Sequence, residues 1–141
     1  MPSGFRGVYL IREDEAITVV KLVYIVKRRA DFTPEAFYRR WLEHGPLVRS
    51  FAKAIRAKRY IQSHTIATPL NAEMAAPRGM GAPYDGITEV WWDSLDDLIA
   101  ASATSEGRDA MEKLIEDERQ FIDLAGSYIF MTQEHVIFEG L

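Results

Sequence analysis

The sequence contains no cysteine, so disulfides, thiolate nucleophiles and thiolate metal sites are excluded together. It has no basic excess either. Lysine and arginine number 17 against 21 acidic residues, a formal net charge of -4, which leaves no electrostatic footprint for nucleic acid or an anionic membrane surface. Apolar runs stay well short of the ~20 residues needed to cross a bilayer. The run from Gly7 to Ile11 is followed at once by Arg12, Glu13, Asp14 and Glu15, unlike a secretory signal. Histidines number three, are scattered, and form no His-Glu-x-x-His helix, so no metal is expected. The glycines of Arg78-Gly79-Met80-Gly81 lack the lysine and the strand-to-helix context of a phosphate loop. A soluble, cytoplasmic protein is the expectation compatible with these absences.

What is present fits one domain, since 141 residues bury a real core without disulfides or metal. Residues 1–16 read as an extension with a short strand at Val8 to Ile11, and 17–141 as the domain. Ile17 to Lys27 is rich in β-branched residues and apolar on both alternating rows, as in a strand covered on both sides. Next comes the most informative stretch, Thr33 to Ile55. Phe37, Trp41, His44, Val48, Phe51 and Ile55 follow at steps of four and three, one stripe down a helix. Thr33 caps its start and Pro34 suits its first turn, while Gly45-Pro46 predicts a break or kink just after His44.

A second strand spans Arg59 to Ile66, with Tyr60, Gln62 and His64 on one face. The proline- and glycine-bearing segment 67–83 has no periodicity and is long for a structureless loop. A lid, a dimer arm and disorder all fit it, and a mobile cover is the reading preferred here. The third strand, Asp85 to Trp92, sets Asp85, Ile87, Glu89 and Trp91 opposite Gly86, Thr88, Val90 and Trp92. Ser94 caps a short helix. A further helix after Ser105 carries Met111, Leu114, Ile115, Glu118, Phe121 and Ile122 in a stripe whose one polar member is Glu118. Ser127 to Phe138 reads as the last strand.

The order β, α, β, β, α, β predicts an α+β, ferredoxin-like fold with a four-stranded antiparallel sheet and helices on one face. Its first and last strands are nonetheless apolar on both faces. A bare apolar sheet face is costly in a monomer, so a homodimer joined sheet to sheet is expected.

Four motifs give this outline a resemblance. Phe37 to Leu47 (Phe-x-x-x-Trp-x-x-His-Gly-Pro-Leu), Arg59 to His64, Tyr84 to Ser94 and Asp117 to Asp123 resemble, in order and position, the EthD domain. The resemblance implies the dimeric α+β barrel superfamily, and with it a homodimer and a ligand cavity between the sheet and its helices. Relatives there include cofactor-free isomerases, polyketide cyclases, dehydratases and quinone-forming monooxygenases, so no cofactor is expected. Positions matching the motifs are His44, Tyr60, His64, Asp85 and Glu89.

Each candidate has a plainer alternative. His44 is a buried neutral imidazole bonded to a carbonyl, or a general acid or base tuned to neutrality. His64 shares the cavity if its strand face turns to the helices, and His135 reads as a surface residue. Glu89 and Asp85 form salt bridges, to Arg59 or Arg108, or orient His44 or His64, or take a proton from a phenol or enol. Tyr24 and Tyr60 pack, or donate to a developing oxyanion. Tyr24, Trp41, Val48 and Trp91 are the expected pocket walls. Trp91 and Trp92 also fit base stacking on a sheet, but the acidic charge argues against nucleic acid. The expected chemistry is proton transfer on a small, mostly apolar, oxygenated, aromatic or polyketide-like molecule, by isomerisation, dehydration or cyclisation. Alternatives are an oxidoreductase or accessory protein of oxidative degradation, and a non-catalytic binding protein.

Overall fold

Strand β1, Val20–Val26, is an interior strand of the sheet in the computed structural model, which describes residues 19–140. The expected extension 1–16 and its short strand lie outside the described residues. After β1 come α1 (Pro34–Ile55), β2 (Arg59–His64), α2 (Leu70–Ala75), β3 (Gly86–Trp92), α3 (Leu95–Ser102), α4 (Ser105–Glu118) and β4 (Tyr128–Thr132). The four strands form one antiparallel sheet in the order β2-β3-β1-β4, the ferredoxin-like arrangement.

Register assigns each strand residue to a face, because cross-strand partners share one. One row joins Gln62, Thr88, Tyr24 and Ile129, and the next joins Tyr60, Val90, Leu22 and Met131. Both rows face the helices. Val23, Ile25, Ile61, Ile87, Trp91, Tyr128 and Phe130 face the other way, where no described helix lies. On the helix side Val26, Phe37, Trp41, Phe121 and Trp92 are enclosed, each removing apolar area worth ~1.5–3 kcal/mol from water.

Helix α1 runs unbroken through Gly45 and Pro46, where the sequence predicts a break. The buried stripe explains this. Trp41 and His44 before the proline, and Val48 and Ile55 after it, are all held against the core. The carbonyl that Pro46 leaves without a donor belongs to Leu42, an exposed residue within reach of water. Thr33 Oγ1 accepts from Ala36 N–H at 3.2 Å, as its capping role requires.

Segment 67–83 is not a structureless cover. It forms α2 and a 3₁₀ turn at Ala76–Arg78, anchored by Asn71, whose side-chain amide donates to the Ile66 carbonyl at 2.8 Å. None of its residues lines the cavity beneath α1.

Candidate active site beneath the first helix

Between α1, α4 and the sheet lies a cavity of about 170 Å³. Its walls are mostly aliphatic and aromatic, from Val48, Ile55, Leu22, Val90, Trp92 and Leu114. Polar groups enter from His44, Glu118, Tyr24, Tyr60 and Thr88. Ile115 of α4 and Ile129 of β4 also border it yet remain exposed, Ile129 by 57%. The cavity therefore opens at the gap between α4 and β4.

His44 is 4% exposed and is held from the end of α4. Its Nδ1 lies 2.6 Å from Asp117 Oδ2, and Arg40 grips the same carboxylate at 2.6 and 3.3 Å. Burial alone would disfavour the Asp117 charge, but Arg40 and His44 together hold its pKa below the ordinary value. A charged carboxylate can only accept, so Nδ1 carries the hydrogen and Nε2 keeps a bare lone pair. Burial lowers the pKa of His44, opposed by Asp117. It is therefore a neutral base at neutral pH.

Glu118 Oε2 stands 3.7 Å from that Nε2. Its other oxygen accepts from the Tyr24 hydroxyl at 2.9 Å. Burial, reinforced by the nearby Asp117 charge and opposed by the Tyr24 hydrogen bond, raises the Glu118 pKa to about 7. Burial and the carboxylate likewise raise the Tyr24 phenol, so Tyr24 stays a donor. Near neutrality the pair thus offers a free imidazole base beside a carboxyl group that is partly an acid.

Tyr24, Trp41, His44, Val48 and Tyr60 come together around this cavity; other candidates do not. Glu89 lies on the opposite face of the sheet, bound to Lys21 Nζ at 2.7 Å, because the period of two turns it away from Thr88 and Val90. Its ion partner is Lys21 rather than Arg59 or Arg108. Trp91 shares that outer face, under Arg59 at 4.6 Å, and donates to Glu134 at 3.1 Å. Asp85 sits at the end of the sheet, where Oδ2 accepts the Arg28 N–H at 2.7 Å. His64 does turn toward the helices, but it stacks on Trp41 and Tyr38, with ring centroids 4.5 and 4.8 Å away, and does not line the cavity. Its Nε2 donates to Gln62 Oε1 at 2.9 Å, and burial lowers its pKa.

The sequence reading missed Asp117, Arg40 and the role of Glu118. The signal was present, since Glu118 is the single polar residue in the α4 stripe and both carboxylates open the fourth motif. Among the described residues no group of three histidine, aspartate or glutamate side chains could hold a metal ion. No described helix is long and apolar enough to cross a membrane.

Comparison with known proteins gives a family and a fold. The model of the EthD domain matches residues 29–125. No curated protein matches the chain significantly. Among solved structures, an EthD family protein from Bacillus halodurans superposes with a TM-score of 0.57 at 18% identity, covering 84% of this chain and 100% of its own. The hydroxynitrile lyase of Passiflora edulis gives 0.54 at 8% identity, covering 87% and 99%. A dimeric protein of ferredoxin-like fold and unknown function from Bacteroides fragilis gives 0.52 at 13% identity, covering 82% and 96%. At such identities the likeness to these structures is one of fold.

Proposed function

This chain belongs to the EthD domain family, and on that premise we propose that it binds a small, mostly apolar, oxygenated molecule under α1 and moves a proton on it. The carrying observation is the 3.7 Å separation of His44 Nε2 from Glu118 Oε2 at the wall of an otherwise apolar cavity. His44 takes the proton, because Asp117 fixes its other nitrogen as the donor. Glu118, with its pKa near 7, returns a proton elsewhere on the substrate. Isomerisation, dehydration and cyclisation all follow from such a transfer, and positioned acid–base groups contribute ~10²–10⁴-fold to such steps.

The volume bounds the guest. A cavity of ~150 Å³ takes up benzene, so about 170 Å³ fits a single-ring compound. A multi-ring, polyketide-like molecule would extend through the gap beside β4.

The proposal includes a homodimer. Apolar residues of all four strands lie on the sheet face that no described helix covers, and Tyr128 and Phe130 there are exposed. A desolvated partner sheet removes that cost. Dimeric neighbours of like fold, from Bacteroides fragilis and Thermobifida fusca, support the same arrangement.

The test is to incubate the protein with a metabolite extract in D₂O and follow masses. Wild type is expected to raise the mass of at least one small compound by one unit or more, and His44→Ala and Glu118→Gln are expected not to. Equal labelling by wild type and His44→Ala overturns the proposal.

A further inference from the structure

We infer that the cavity holds a separate oxygen subsite, in which the Trp41 indole N–H and the Tyr60 and Thr88 hydroxyls receive the carbonyl oxygen of the substrate. The substrate class is then a small ketone, ester or lactone with an acidic hydrogen beside its carbonyl. The inference rests on the proton-transfer reading for its chemistry but on different residues for its evidence.

The chain has three tryptophans, and two of their indole N–H groups are committed. Trp91 donates to Glu134 at 3.1 Å and Trp92 to the Ile55 carbonyl at 2.7 Å. Trp41 is only 1% exposed and lines the cavity, where its side chain meets the Tyr60 hydroxyl. Thr88 is 6% exposed, and its side chain meets the same hydroxyl. Both residues line the cavity. An unmet buried donor costs ~1–3 kcal/mol, so a hydrogen left over in this cluster calls for an acceptor.

Tyr60 completes the set. The amide of Gln62 donates to its hydroxyl oxygen at 2.8 Å and to the Trp41 carbonyl at 2.8 Å, while the amide oxygen is taken by His64 at 2.9 Å. Gln62 turns its NH₂ group, not its oxygen, to Tyr60, so it donates there and does not take the Tyr60 hydrogen. The Trp41 and Thr88 side chains also approach the Tyr60 hydroxyl, which burial keeps protonated. However these groups pair among themselves, one hydrogen at the end of the chain has no acceptor. In register, Thr88 stands between Gln62 and Tyr24, and Tyr24 supports Glu118. One wall thus has surplus donors and the other has the bare Nε2 of His44 and the Glu118 carboxyl. A guest that satisfies both has an accepting oxygen next to an acidic C–H.

The step balances within the chain and its guest. His44 Nε2 takes the hydrogen from the carbon adjoining the carbonyl, and the C–H electron pair becomes a C=C bond. The carbonyl π pair moves to oxygen, where the three donors receive the charge. Return of a proton from the imidazolium or Glu118 to the opposite face of the same carbon, or to the far end of a C=C bond conjugated with the enolate where the guest has one, re-forms the carbonyl and completes an isomerisation without any other reactant.

Cyclohexanone and its hydrocarbon counterpart methylenecyclohexane are the test probes. With cyclohexanone, the indole N–H resonance of Trp41 is expected to shift more than that of Trp92, which also borders the cavity, while that of Trp91 on the outer face stays in place. The Tyr60→Phe, Thr88→Val double variant is expected to bind cyclohexanone about tenfold more weakly, as the loss of hydrogen bonds implies, and methylenecyclohexane within twofold of wild type. Failure of cyclohexanone to bind, an unmoved Trp41 resonance, or equal effects on both probes overturns the subsite. Deuterium exchange beside the carbonyl in D₂O separates the two readings. Selective ketone binding with no exchange above the His44→Ala level removes the proton-transfer reading and leaves the subsite. Exchange that the double variant does not slow removes the subsite and leaves the proton-transfer reading.

Discussion

His44 Nδ1 and Asp117 Oδ2 are 2.6 Å apart across 73 positions of sequence, and that contact fixes which imidazole nitrogen meets the substrate. Arg40 on the far side of Asp117 is a pure donor. In Asp117→Asn, the amide oxygen will turn to Arg40 and the amide nitrogen to His44. The imidazole then accepts at Nδ1 and carries its hydrogen on Nε2. Solvent-exchange or turnover rates are expected to fall by ~10²-fold, the scale of a misplaced catalytic group, with probe affinity little changed. ¹⁵N spectra of the imidazole check the tautomer, and an unchanged tautomer with an unchanged rate counts against the orienting role.

Glu118 makes stability depend on pH in an unusual direction. Its folded pKa of about 7 lies above the ordinary 4.5. Between these values the folded state holds a proton that the unfolded chain has lost, so stability falls as pH rises from 4.5 through 7 and levels off above. The penalty is on the order of 3 kcal/mol. Glu118→Gln should therefore stabilise the protein at pH 8 and do little at pH 4. His44 acts oppositely, because its lowered pKa costs stability as pH drops below 6.5. Urea titrations at several pH values measure both, and a Glu118→Gln variant no more stable than wild type at pH 8 contradicts the assignment.

Phe130 tests the proposed homodimer, since it projects from β4 beside Val23 on the face away from the helices. Phe130→Glu places a charge where the partner sheet would dry it. Sedimentation should show dimers for wild type and monomers for the variant, with circular dichroism unchanged. A wild type that sediments as a monomer at micromolar concentration ends the dimer reading.

Gly86 marks a close approach of backbone and indole in the core. A Cβ there would meet the Ser63 carbonyl oxygen at 2.3 Å and Trp41 Cζ3 at 2.8 Å. Backbone cannot yield as a flexible side chain does, so Gly86→Ala is expected to destabilise by ~1–3 kcal/mol. Because Trp41 must shift, it should also weaken cyclohexanone binding. Denaturant unfolding and the Trp41 indole resonance read the two effects.

The element order and sheet were legible because they rest on local patterns. The α1 stripe from Phe37 to Ile55 and the alternation of β1 and β3 each imply a buried face. The site was only half legible. Facing was undecidable for Glu89, since a strand has two sides and β3 carries an apolar row on each. Asp85 and Trp91 failed for the same reason. Asp117 and Arg40 were hidden because their partner comes from another helix, and no local spacing records a contact between α1 and α4. Segment 67–83 forms α2 through the propensity of Leu70–Ala75, which a reading dominated by proline and glycine overlooked.

Strand β4 serves two surfaces at once. Ile129 borders the mouth of the cavity, while its chain neighbours Tyr128 and Phe130 point to the opposite side. Adjacent residues of one strand cannot be displaced independently, so widening the doorway for a larger guest tilts the very side chains that a second subunit would grip. Ligand uptake and self-association are then linked quantities, and probe affinity should vary with protein concentration across the range where the two-fold assembly comes apart.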